Sequence, residues 1–136
     1  MAVVQELIRK EADGSISFGN YELAKKTKVS DFEVNGDIYK VKTFAEITKL
    51  ERNELFVYES VPGTAVTGLI ADTNGVSFTV EGDKDAQITL ELEPESEYAV
   101  VINGENTGKM TTNLGGKLTI GVELEEGRKV QVKIER

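Results

Sequence analysis

Twenty-four carboxylates with no histidine and no cysteine set the chemistry open to this chain. Without histidine, the commonest general base and every Ser-His-Asp or Cys-His arrangement are excluded. Without cysteine, disulfides, thiolate metal sites and a thiol nucleophile go as well. Carboxylate pairs remain. Glu91, Glu93, Glu95 and Glu97 recur at every second position. Such a pair can hydrolyse a glycoside when the two face each other across a pocket and burial raises the pKa of one. The first two alternate with Leu90 and Leu92, so they point away from the apolar side and read as a solvated acidic surface.

Asp72, Asn74, Glu81, Asp83 and Asp85 fall in two neighbouring segments, and loop oxygens of this kind can hold calcium. None has the twelve-residue spacing of an EF-hand, and Asp and Asn serve turns by bonding their own backbone, so no metal and no cofactor is expected. Gly104, Gly108, Gly115 and Gly116 lie between extended segments. A phosphate loop must lead into a helix N-terminus, so these glycines read as hairpin and bulge positions.

Aromatic residues are unevenly distributed. Seven of nine precede residue 60, namely Phe18, Tyr21, Phe32, Tyr39, Phe44, Phe56 and Tyr58. Flat aromatic side chains serve cores, protein interfaces and sugar-binding faces alike. Tyr21, Tyr39 and Tyr58 are the candidate ligand or partner surface, because a phenol can sit half in water where a phenyl ring would not. No catalytic residue is assigned.

The formal charge is −8, with −2 on residues 1–63 and −6 on residues 64–136. Nucleic acid is not an expected partner, since phosphate backbones select clustered cations and the densest basic run is Lys25, Lys26 and Lys28. That run reads as lysines guarding a strand edge. The N-terminus lacks the basic-then-apolar pattern of a secretory signal, and no apolar run approaches the ~18 residues of a membrane span. The expectation is a cytoplasmic protein without membrane contact.

These residues must be positioned by strands. In the second half apolar residues alternate in five sets: Val76, Phe78 and Val80; Ile88, Leu90 and Leu92; Tyr98, Val100 and Ile102; Leu118, Ile120, Val122 and Leu124; and Val130, Val132 and Ile134. Period two is the signature of a half-buried strand, and turn residues separate all five. In the first half Asn35-Gly36 marks a hairpin between Phe32-Glu33-Val34 and Ile38-Tyr39-Lys40-Val41. A second hairpin is expected over Gly14 to Tyr21, bending near Gly19-Asn20, and Leu55 to Tyr58 reads as a strand buried on both faces.

Two stretches read either way. Val3, Val4, Leu7 and Ile8 have helical spacing within residues 2–10. Over 44–52, Thr43 and Glu46 stand at capping-box spacing, but the β-branched Thr43, Ile47 and Thr48 favour a strand. The fold class is therefore all-β, an antiparallel β-sandwich with at most one or two short helices. The expected division is an N-terminal β-rich subdomain over 1–63 and an immunoglobulin-like or jelly-roll-like sandwich over 64–136.

From Tyr98 to Gly104, then Gly108-Lys109-Met110 and Asn113 to Ile120, the chain resembles the closing strands of β-sandwich modules appended to carbohydrate-active enzymes. The whole chain, including Gly19-Asn20-Tyr21-Glu22-Leu23 and Tyr58 to Val66, also resembles a family of short, uncharacterised bacterial β proteins sometimes labelled endosialidase catalytic beta chain. Sialidases use an arginine triad, a Tyr–Glu pair and aspartate-box repeats. This chain has only Arg9, Arg52, Arg128 and Arg136 and no such box, so the resemblance carries over no catalytic residue.

The reading that leads is a non-enzymatic accessory or interaction module acting through its first 60 residues, with protein or carbohydrate as partner. A subunit of a carbohydrate-active enzyme and a structural homo-oligomer joined through strand edges are the alternatives.

Overall fold

The computed structural model of the protein describes residues 3–136, and every regular element among them is a strand. In chain order these are β1 (Ile8–Lys10), β2 (Ile16–Phe18), β3 (Thr27–Val34), β4 (Asp37–Phe44), β5 (Ile47–Arg52), β6 (Leu55–Val61) and β7 (Ala65–Asp72). There follow β8 (Gly75–Glu81), β9 (Ala86–Glu91), β10 (Glu97–Ile102), β11 (Glu105–Thr111), β12 (Lys117–Val122) and β13 (Val130–Glu135). Seven form one antiparallel sheet in the order β1-β2-β7-β8-β13-β10-β11, and six form the other in the order β12-β9-β6-β5-β4-β3.

The five alternating sets of the second half become β8, β9, β10, β12 and β13, with Leu92 and Leu124 just past the ends of β9 and β12. Their apolar sides interdigitate between the sheets. Val130, Val132 and Ile134 face inward and pair across to Val80, Phe78 and Val76. Asn35 and Gly36 both take positive φ (51° and 86°), the geometry of a primed hairpin turn whose twist matches the strands it joins. The stretch 44–52 is the end of β4, a tight turn at Ala45-Glu46, and β5.

One open stretch of the first half resolves and two expectations are corrected. Val3 to Leu7 form no helix: Val4 N–H donates to the Gly19 carbonyl at 3.0 Å and Leu7 has φ 73°, after which Ile8 enters β1. The helical spacing arises because both loop and strand send residues to the core, and Ala2 lies outside the described residues. The hairpin near Gly14 joins β1 to β2 and bends at residues 11–15, where Glu11 N–H reaches the Ser15 carbonyl at 2.8 Å. Gly19-Asn20 instead leaves β2, with Asn20 N–H held by the Thr43 hydroxyl at 2.8 Å. Finally, β6 has one wet face. Val61 is 53% exposed and Glu59 half-buried, while Tyr58 and Ser60 are fully buried, as a sheet with a core on one side only requires.

Hydrogen bonds cross residue 63 in both sheets: β2 pairs with β7 in one and β6 with β9 in the other. One buried cluster draws on both parts of the chain. At its centre Tyr58 makes edge-to-face contacts with Phe18 and Phe78, at centroid separations of 5.2 and 5.6 Å.

Beside this stack lies a chain of buried hydroxyls that no periodicity announces. Thr48 Oγ1 donates its one proton to the Thr64 carbonyl at 2.8 Å and accepts from Thr64 N–H at 3.1 Å. The proton between Thr43 and Thr48 (2.8 Å) therefore comes from Thr43. Thr64 Oγ1 in turn bonds the hydroxyls of Tyr58 and Ser60, each at 2.7 Å. This network seats the connection from β6 to β7 on the sheet. Gly63 within it lies so close to the Phe44 carbonyl that a Cβ would overlap it.

Candidate functional site

The three candidate tyrosines do not form a surface. Tyr58 is 0%, Tyr21 6% and Tyr39 8% exposed. Tyr58 and Tyr39 point inward from β6 and β4, and Tyr21 packs with Val3 and Ala65 in a small satellite cluster. The expectation of an exposed aromatic patch is overturned, because two stacked sheets provide a thicker core than one β layer. Burial raises the pKa of both Tyr58 and Tyr21; for Tyr21 the carboxylates of Glu22, Glu81, Asp83 and Glu126 add to the shift.

The acidic loops hold backbone. Asp72 Oδ1 accepts from Asn74 N–H at 2.8 Å, and Asp85 Oδ1 from Leu124 N–H at 2.9 Å. Among the described residues, no group of three or more Asp or Glu side chains is placed to hold a metal ion. At one end of the sandwich a cleft of about 350 Å³ is lined by Arg52, Asp72, Glu91, Glu93 and Tyr98. None of its carboxylates is buried, and Glu91 is held by Lys117 at 3.1 Å. The Tyr98 hydroxyl, itself buried, accepts from Glu93 N–H at 3.1 Å. The cleft therefore offers charge but no desolvated carboxyl poised to act as a general acid.

The outer face of the six-stranded sheet is more unusual. Register places Lys28 of β3 opposite Lys42 of β4, and Lys42 opposite Lys49 of β5. Lys40 stands two residues from Lys42 on the same face, and Lys26 precedes β3. The charges of these neighbours act on Lys42 and lower its pKa, with Lys40 the largest cause, then desolvation, then Lys28, Lys49 and Lys26. Neighbouring strands lie ~4.8 Å apart, so the row Lys28, Lys42, Lys49 spans about 10 Å.

Half-buried Phe44 and Ile47 border the row on one side, and Val61, an exposed residue of β6, extends that border. On the other side Phe56 lies under the ammonium groups of Lys49 (5.9 Å) and Lys117 (4.7 Å).

Edge protection accounts for Lys25, Lys26 and Lys28, because β3 is the outermost strand. It does not account for Lys42, on an interior strand where like charges facing each other oppose folding, nor for Lys49, whose charge is partly met by Glu51 at 3.6 Å on the same face. The contiguous run Lys25, Lys26 and Lys28 does not announce this cluster, whose other members lie on β4 and β5. The Asn35-Gly36 turn alone would set Lys28 opposite Thr43, and the bulge between Val29 and Phe32 brings it to Lys42 instead.

The fold defines an all-β protein of two stacked antiparallel sheets, a β-sandwich. Among the described residues, no helix is long and apolar enough to cross a membrane. Comparison with protein-family models, with curated proteins and with solved structures finds no match.

Proposed function

We propose that the protein is a non-enzymatic interaction module that docks an acidic segment of a partner protein on the outer face of its six-stranded sheet. The observation that carries this is the row Lys28, Lys42, Lys49 running from the edge onto interior strands of a chain with formal charge −8. Repulsion within the row opposes folding, and an anionic partner relieves it on binding. The short span of the row and its border of Phe44, Ile47 and Val61 fit a protein segment carrying both acidic and apolar side chains. A long nucleic acid would meet the repulsive field of the rest of the molecule.

A fluorescent oligoglutamate peptide is the probe, read by anisotropy. Binding should weaken as salt shortens the screening length from about 30 Å at ~0.01 M to about 8 Å at ~0.15 M. The pair Lys42→Glu, Lys49→Glu should weaken it by roughly tenfold or more, while Lys84→Glu, in the loop before β9, leaves it unchanged. Tighter binding of single-stranded DNA than of the peptide, or equal effects of the three reversals, would overturn the reading. Turnover of a labelled glycoside by the pure protein would overturn its non-enzymatic part.

A further inference from the structure

The sandwich is uneven along one side. Seven strands lie over six, and β1 meets β3 at the opposite side, so the surplus strand is β11. It pairs only with β10, and all seven of its residues are exposed. Met110 shows what is missing beneath it. It pairs with Tyr98, whose inward side chain is 1% exposed, yet Met110 on the same face is 39% exposed.

The six-stranded sheet stops at β12, leaving a step one strand wide below β11. Leu92 N–H donates to the Gly116 carbonyl at 2.7 Å, one position beyond the pair Lys117–Glu91. Antiparallel pairs alternate, so even-numbered residues of β12 bond β9 and odd-numbered ones turn their N–H and C=O to the free edge. Asn113 occupies both backbone groups of Lys117. Those of Thr119 and Gly121 remain open.

The two edges on the far side are guarded: β3 carries lysines and a bulge after Val29, and β1 has three residues. β11 has a bulge at Thr107, but Gly108 to Thr111 pair with β10 without a shift. β12 pairs over six residues without a shift, and it has no proline.

The step is complementary to itself. A two-fold axis along the strands, midway between the sheets, places β11 of each copy in the gap beside β12 of the other. The five-residue connection 112–116 turns the chain back between sheets, so β11 and β12 run in opposite directions. The axis preserves strand direction, and the new pair is therefore antiparallel. Hydrogen-bonding parity agrees. Thr112 N–H donates to the Ser96 carbonyl at 2.9 Å, so even-numbered residues at this end of β11 bond β10. Lys109 and Thr111 are left to meet Thr119 and Gly121 of the partner. Charge is compatible: Lys109, 3.7 Å from Glu97 of its own copy in an exposed pair, comes against the strand that leads into Glu123.

We infer that the protein forms a closed two-fold dimer in which β11 of each copy is the seventh strand of the other's six-stranded sheet, with both Met110 side chains enclosed between the layers. The joint lies across the sheet from the lysine row and leaves both copies of that row free.

Light scattering after size exclusion, with sedimentation equilibrium over a range of concentrations, tests this directly. The full chain should show a monomer–dimer equilibrium. Gly121→Pro removes an N–H that the β9 ladder does not use, and it should weaken the dimer by at least about a hundredfold with the fold retained. Gly121→Lys is the second variant. A Cβ there meets nothing within 4 Å, so the monomer accepts it, while in the dimer the added ammonium would stand on the outer face beside the partner's Lys109 and repel it. Lys28→Glu at the β3 edge should have no effect. A chain monomeric at every concentration, a dimer indifferent to both residue 121 variants, or open-ended assemblies would overturn the inference.

Discussion

Thr64→Val replaces a hydroxyl by a methyl of similar size at the centre of the buried network, and the structure gives the change a worked cost. Thr64 Oγ1 is the hydrogen-bond partner of both the Tyr58 and Ser60 hydroxyls, and all three residues are 0% exposed. Removing it leaves two buried hydroxyls without that partner. They can turn to each other, but one proton then still lacks an acceptor. An orphaned buried polar group costs about 1–3 kcal/mol, so the expected loss is about 2–4 kcal/mol. Against the ~5–15 kcal/mol stability of a domain this is large. The corresponding drop in Tm is on the order of 10 °C. Urea unfolding followed by tyrosine fluorescence measures it. Thr64→Ser keeps the oxygen and should cost only about 1 kcal/mol, the loss of one buried methyl. In the Thr64→Val background, Tyr58→Phe should cost much less than it does alone, since its hydroxyl has already lost its partner. Equal stability of the Val and Ser variants, or a Val variant within about 0.5 kcal/mol of the parent, would refute the account of the network.

Other changes test the register, the close packing and the charges. Val132→Asp buries an unpaired carboxylate opposite Phe78 and should cost several kcal/mol, whereas Gln131→Asp on the wet side should leave the urea midpoint nearly unchanged. Gly63→Ala drives a Cβ into the Phe44 carbonyl and should lower Tm well beyond an Ala substitution at Gly36, where nothing lies within 4 Å but φ is positive. Lys42→Gln removes repulsion from four lysines and should raise Tm, more at low salt than at high. Tyr58 and Tyr21 have pKa values above their ordinary 10.0 in the folded protein. The unfolded chain therefore releases these phenolic protons first, and stability, full below pH 10, should fall as pH rises beyond it. Flat melting temperatures across that range would contradict the burial of both phenols.

How legible each part was depended on what lay beneath it. Val76, Phe78, Val80 and their four companion sets declare strands because each covers a core on one side only, and period two survives in the text. The Gly14–Tyr21 hairpin was misplaced because Gly19 breaks the extended chain for another reason, its close approach to Thr64 and Ala65. The tyrosines were misread because side-chain type alone does not give layer thickness. The lysine face was invisible for a different reason. Its members come from separate strands, and only pairing brings Lys28, Lys42 and Lys49 into one row.

β11 is the instructive failure. Glu105 to Thr111 contain one large apolar residue, Met110, and no alternation, so nothing in the segment marks it as a strand. It is one because β10 supplies a ladder on one side, and its inner face was never required to be apolar because the opposite sheet ends before reaching it. A strand that covers core must show a hydrophobic period, whereas a strand that overhangs need not. The absence of the pattern and the step in the sandwich thus have one cause. The same composition suits an edge that must stay soluble alone and still accept a partner: backbone groups at Lys109 and Thr111 supply the pairing, and a single Met110 supplies the apolar contact. Such a joint has little hydrophobic area, so its strength rests on the ladder. For that reason a proline at Gly121 should weaken it more than truncation of Met110 to Ala, an order that an interface held mainly by apolar burial would reverse.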